Sequence, residues 1–223
     1  MSSESSSDAV GRPGSVIDLI GRVRVVPVLT VDEPDDAVEL VRALVAAGLP
    51  AVEITLRSPT ALEAIRRASV EVPSAVVGAG SVTSGSLATQ SIDAGARFVV
   101  SPGFDDGVIE TASSASIPVL PGIATASELL RAVNAGLSTV KLFPAELIGG
   151  PALIRAYAAI WPEVRFMPTG GVTAESAPAY LALAQVLAVG GSWMVSEQAV
   201  GERDWASVTK QAASAAQLGQ TGT

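Results

Sequence analysis

From Arg22 onward the chain repeats one pattern: a short run of β-branched residues, a turn of Gly, Pro, Ser or Asp, then an amphipathic stretch rich in Ala and Leu. Apolar runs of strand length fall at Val23–Leu29, Ala51–Leu56, Ala75–Val77, Phe98–Val100, Val119–Leu120, Thr139–Phe143, Val164–Met167 and Val186–Val189. Bounded by turn residues, they read as buried strands, because Val, Ile, Thr and Phe suit a pleated surface. Helical patterns lie between them at Pro34–Ala47, Pro59–Val70, Ser84–Ala94, Ala126–Ala135 and Pro151–Ile160. Pro34 and Pro59 stand near first-turn positions, where a missing N–H costs nothing, and Gly48, Gly95 and Gly136 follow helix ends that want a left-handed residue. Eight strand–helix units of roughly 20 to 25 residues predict an α/β fold, a single (β/α)8 barrel over residues 15–223. An open doubly wound sheet is the alternative, but it uses fewer strands and a Gly-rich first loop. Val16–Arg22 predicts a short helix closing the barrel bottom. Residues 1–14, rich in Ser with Gly and Pro, read as a disordered tail and not as a signal peptide or anchor.

Composition narrows the function. At 48% hydrophobic and 16% charged, the chain has material for a large core. No stretch offers about 18 apolar residues free of Gly, Pro and charge, so a soluble, cytoplasmic protein with no membrane partner is expected. The net charge is −8 and no run of Lys or Arg forms a patch, which argues against nucleic acid while leaving room for small anions. There is no cysteine and no histidine, so thiolate, imidazole and His-ligated metal chemistry are excluded. Carboxylates, hydroxyls and lysine must carry any reaction.

Lysine is scarce, with Lys141 and Lys210 against twelve arginines. Lys141 falls inside the strand Thr139–Phe143, which Pro144 ends because it cannot donate to a ladder. Burial disfavours an ammonium and frees the amine as a nucleophile toward carbonyls. A lysine near a strand end can instead snorkel to water, and strand parity decides between the two. Thr139, Lys141 and Phe143 share one face and Val140 and Leu142 the other, which turns Lys141 into the barrel. The same parity groups Glu53, Thr55 and Arg57 inward, against Val52, Ile54 and Leu56. A buried ion pair is the plain reading of Glu53 with Arg57, but such a pair is weak support for stability.

Barrel chemistry sits at the C-terminal ends of the strands, and the loops after the seventh and eighth commonly hold phosphate. Here those ends read Pro168-Thr169-Gly170-Gly171 and Gly190-Gly191-Ser192-Trp193, whose glycines let backbone N–H groups approach a ligand. Gly78-Ala79-Gly80-Ser81 and Ser101-Pro102-Gly103 are candidate substrate walls, or tight turns for geometry alone.

With Val26-Pro27-Val28, Glu53-Ile54-Thr55-Leu56-Arg57 and Lys141-Leu142-Phe143-Pro144-Ala145-Glu146, these motifs resemble the aldolase family acting on 2-keto-3-deoxy-6-phosphogluconate (KDPG) and 4-hydroxy-2-oxoglutarate (KHG). The resemblance covers Arg22 to about Trp205. It implies a homotrimeric class I aldolase, free of metal and cofactor, that cleaves KDPG to pyruvate and glyceraldehyde 3-phosphate and extends to KHG, which yields pyruvate and glyoxylate. It implies a Schiff base on Lys141 and proton transfer by Glu53. Arg57, Thr169, Ser81 and Pro102 would meet the keto-acid end, and Gly170, Gly171, Gly191 and Ser192 the phosphate. Three departures bear on substrate preference: Ser81 where the family usually has Thr, Leu142 for a common Phe, and Leu147-Ile148 for a smaller or more polar pair. A relative preferring the galactonate epimer or an unphosphorylated 2-keto acid is the nearest alternative. A sugar-phosphate isomerase and a non-enzymatic binding protein are the others; neither needs a covalent lysine.

Overall fold

The structure, a computed structural model, describes residues 13–220. The tail expected over residues 1–14 lies outside these up to residue 12, and helix α1 (Pro13–Val23) begins where it was to end. Strands β1 (Val25–Leu29), β2 (Ala51–Thr55), β3 (Val76–Gly80), β4 (Val99–Val100), β5 (Val119–Leu120), β6 (Gly122–Ile123), β7 (Thr139–Leu142), β8 (Arg165–Pro168) and β9 (Val189–Gly191) all pair in parallel. They form a six-stranded sheet ordered β5-β4-β3-β2-β1-β9 and a three-stranded sheet ordered β6-β7-β8. The fifth strand lies at Val119–Leu120 as expected and pairs with β4, and past Pro121 the chain adds a further short strand, β6, that pairs with β7. On the other side two isolated bridges, Phe166↔Val186 and Thr169↔Gly190, join the sheets. The result is the expected barrel architecture with two interrupted seams.

Helices α2 (Pro34–Ala46), α3 (Ala61–Glu71), α4 (Gly85–Asp93), α6 (Ala126–Asn134) and α7 (Gly150–Ala158) fall within a few residues of their predicted bounds. Pro59 stands outside the first turn, ahead of the Thr60 cap. Helices α5 (Asp106–Ser114), α8 (Ala177–Leu181), α9 (Glu197–Gly201) and α10 (Trp205–Gln220) carry faint apolar stripes. The buried face of α10, for example, is Val208, Ala212, Ala215, Ala216 and Gly219, small residues that suit close packing but give little periodic signal.

Alternation along the strands sorts two cores. Val52 and Ile54 of β2, Val77 and Ala79 of β3, and Val140 and Leu142 of β7 face the helices. Val26, Ala51, Val76, Phe98, Val100, Leu120 and Met167 fill the barrel floor, where Val16 and Ile20 of α1 join them. The helix is therefore the predicted bottom plug, and burying each of those two side chains is worth about 1.5–3 kcal/mol.

Two strand assignments needed correction. The third was expected to stop at Val77, with Gly78 and Gly80 in a turn; both lie within β3. Parity turns them inward, and they are glycine because a Cβ on Gly80 would lie 2.1 Å from Glu53 Oε1 and one on Gly78 2.3 Å from the Phe98 ring. The last strand runs Val189–Gly191 instead of Val186–Val189, so Gly190 and Gly191 are strand residues.

Candidate active site

Above the floor, the barrel interior turns polar. Glu53 on β2 is fully buried and Lys141 on β7 is 5% exposed, and Nζ donates to Oε1 across the barrel at 3.4 Å. The other carboxylate oxygen, Oε2, is buried with no hydrogen-bond partner among the described residues. A buried carboxylate held by one long hydrogen bond is costly to keep. Stability therefore does not explain the pair, whereas a site waiting for a ligand proton does. The Phe143 ring lies 5.0 Å from Nζ, at cation–π range. Lys210, by contrast, is exposed on α10.

Space for this arrangement comes from Gly80. A Gly80→Ala substitution would drive its Cβ into the Glu53 carboxylate and swing that group away from Lys141. We expect kcat to fall by on the order of 10- to 10²-fold, the cost of a misplaced reacting group. Turnover and a thermal melt on one preparation check this; an unchanged kcat would mean that Glu53 has room to spare.

Arg57 departs from expectation. The strand ends at Thr55, so Arg57 rises from the following turn, exposed, and its Nε donates to Thr55 Oγ1 at 3.2 Å. Among the described residues it makes no ion pair with Glu53. It stands at the barrel mouth and not in its interior.

Thr169 is 5% exposed at the end of β8, beside Gly190. Gly170 and Gly171 follow with φ of 94° and 82°, a left-handed pair that favours glycine. Their N–H groups have no partner among the described residues, and the turn is held from behind. Ala145 N–H donates to Thr169 O at 2.9 Å and Glu146 N–H to Gly170 O at 3.1 Å. Tyr180 Oη donates to Glu146 Oε1 at 2.8 Å. Burial, together with that carboxylate, holds the Tyr180 phenol above its ordinary range, so it stays a donor. Glu146 and Tyr180 were invisible as a pair in the sequence, being 34 residues apart.

Gly191 plays a different part from Gly170 and Gly171. It is in a strand, and its missing Cβ leaves room for the Trp193 ring, which would otherwise lie 2.1 Å away. A side chain there collides with the chain itself before it meets any ligand. Ser192, exposed, shares with Arg57 a cavity of about 780 Å³ that also takes in Val28, Thr30 and Asp32. Ser81 closes β3 with φ 57°, and Pro102 is exposed in the turn after β4, its carbonyl against Gly122. The polar groups named for the site thus gather at one end of the barrel, with Lys141 and Glu53 deepest.

Residues 16–211 match the family described as KDPG and KHG aldolase. The chain is 44% identical over 195 residues to the 2-dehydro-3-deoxy-phosphogluconate aldolase of Treponema pallidum (strain Nichols), covering 87% of this chain and 93% of that one. It is 43% identical over 188 residues to the KHG/KDPG aldolase of Escherichia coli (strain K12), covering 84% and 88%. Its fold is similar, at a TM-score of 0.85 and 35% identity, to a KDPG aldolase from Legionella pneumophila in which pyruvate was captured at low pH as a covalent carbinolamine; 91% of this chain and 97% of that one are covered.

Proposed function

The chain belongs to the KDPG and KHG aldolase family, and from that premise we propose that it cleaves KDPG to pyruvate and glyceraldehyde 3-phosphate, and KHG to pyruvate and glyoxylate, through a Schiff base on Lys141. The observation that carries this reading is the buried Lys141–Glu53 pair with its unpartnered carboxylate oxygen. The free amine of Lys141 adds to the C2 carbonyl, and loss of water leaves an iminium. Glu53 takes the proton of the C4 hydroxyl as the C3–C4 bond breaks. The electron pair of that bond moves into the iminium, giving an enamine and releasing the aldehyde. Protonation at C3, with Glu53 returning its proton, and hydrolysis then free pyruvate and the amine. Every step is served by these two groups and water.

Arg57, Thr169, Ser81 and Pro102 hold the keto-acid end in this proposal. Gly170, Gly171, Gly191 and Ser192 hold the phosphate, and the free N–H groups of Gly170 and Gly171 support that role best. For Gly191 the contact would be through its backbone alone. Ser192→Asp places a charge where phosphate would lie. Two unit charges about 4 Å apart repel by about 1 kcal/mol even in water. We therefore expect kcat/KM for KDPG to drop at least about fivefold, with unphosphorylated 2-keto-3-deoxygluconate much less affected. Equal losses on both would remove Ser192 from the phosphate site.

The same proposal extends to a single catalytic domain over residues 15–223, preceded by a short tail, working in the cytoplasm as a homotrimer in the Entner–Doudoroff route. No helix among the described residues is long and apolar enough to cross a membrane. Leu147, 85% exposed beside Ile148, offers an apolar surface for a subunit contact. Pyruvate release from KDPG, its galactonate epimer and KHG tests the activity, and light scattering tests the trimer.

A further inference from the structure

The strand Val25–Leu29, which pairs with the strand that carries Glu53, is followed by a hydroxyl, Thr30, whose hydrogen-bonding capacity is fixed by its neighbours. Thr55 Oγ1 donates its only proton to Leu29 O at 2.9 Å and accepts from Arg57 Nε at 3.2 Å. Thr30 Oγ1 lies 3.0 Å from the same oxygen. A hydroxyl has one donor and two lone pairs, so Thr55 can only accept from Thr30. That leaves Thr30 with its proton committed and both lone pairs unused among the described residues. Its place is rigid, because Ser58 Oγ donates to Val31 O at 2.6 Å and Thr60 Oγ1 to Asp32 O at 2.6 Å. Thr30 is exposed and lines the cavity shared by Arg57 and Ser192.

An acceptor without a proton to give cannot bind a phosphate or carboxylate oxygen; it can bind a hydroxyl. The same cavity is lined by Asp32, Glu33 and Glu197, and Asp36 is engaged by Arg203 at 2.9 Å. The lining therefore combines Arg57 and Ser192 with acceptors for hydroxyl groups, and Thr30 stands next to Arg57 across the Thr55 oxygen that both engage. We propose that Thr30 is a specificity-determining residue, accepting a hydrogen bond from a substrate hydroxyl that takes no part in bond cleavage, and so favouring polyhydroxylated keto acids. This rests on the aldolase reading. In KDPG that hydroxyl is the one on C5, retained in 2-keto-3-deoxygluconate; KHG, a dicarboxylate, has none beyond the reacting C4 hydroxyl.

The test is kcat/KM on these three substrates for the wild type, Thr30→Val and Thr30→Ser. Loss of one neutral hydrogen bond should lower the value for KDPG and for 2-keto-3-deoxygluconate by about three- to tenfold in Thr30→Val, against less than about twofold for KHG. Thr30→Ser, which keeps the oxygen, should restore the wild-type ranking. Equal losses on all three substrates would show that Thr30 acts only through Thr55 and Arg57, and no loss would show that it meets no substrate; either overturns the proposal. A wild-type protein that releases pyruvate from none of the three would overturn the aldolase reading itself, a result visible before any variant is made.

Discussion

Lys141→Ala should reduce pyruvate release to background, a fall on the order of 10⁴- to 10⁶-fold, as expected when a covalent nucleophile is removed. No other lysine can replace it, since Lys210 lies exposed on the outer helix α10. The substitution also strips the Glu53 carboxylate of the one hydrogen-bond partner it has among the described residues, and breaking a buried pair from one side costs about 3–5 kcal/mol. Lys141→Met keeps most of the side-chain volume without the amine. It should be equally inactive while packing the barrel better than alanine, and a folded, inactive Met variant separates lost chemistry from lost structure. Substantial turnover in either variant would remove Lys141 from the mechanism.

Glu53→Gln should lower kcat by roughly 10²- to 10⁴-fold, the span usual for a general acid–base group. The carboxylate is fully buried with Oε1 toward Lys141 and Oε2 unpartnered, which leaves one oxygen for a substrate proton. The amide occupies the same volume but cannot accept and return a proton. Lys141 remains in place in this variant, so borohydride trapping with pyruvate should continue more slowly while aldol cleavage nearly stops. That split distinguishes proton transfer from mere support of the lysine.

Most of the fold was legible in the sequence because strand parity and turn residues are local signals. The inward placement of Lys141 and Glu53 followed from alternation alone, and α1 as bottom plug followed from a short apolar stretch ahead of the first strand. Arg57 departs from strand parity because the strand stops at Thr55, beyond which the pleat no longer governs direction. Gly78, Gly80, Gly190 and Gly191 looked like turns, yet they are strand residues whose missing side chains make room for Phe98, Glu53, Thr169 and Trp193. Such absences depend on contacts across the barrel, and a glycine in a string of letters carries no mark of which neighbour needs its space. Thr30 carries no mark in the sequence, because its acceptor-only character depends on the Thr55 and Arg57 partners.

The central claim, a covalent amine at Lys141, is tested most directly by borohydride reduction of the wild-type protein in the presence of pyruvate, followed by peptide mapping. One pyruvate-derived adduct per chain is expected, on the peptide that contains Lys141, with none at Lys210. An adduct at Lys210, or no adduct from a protein that still releases pyruvate, would contradict it.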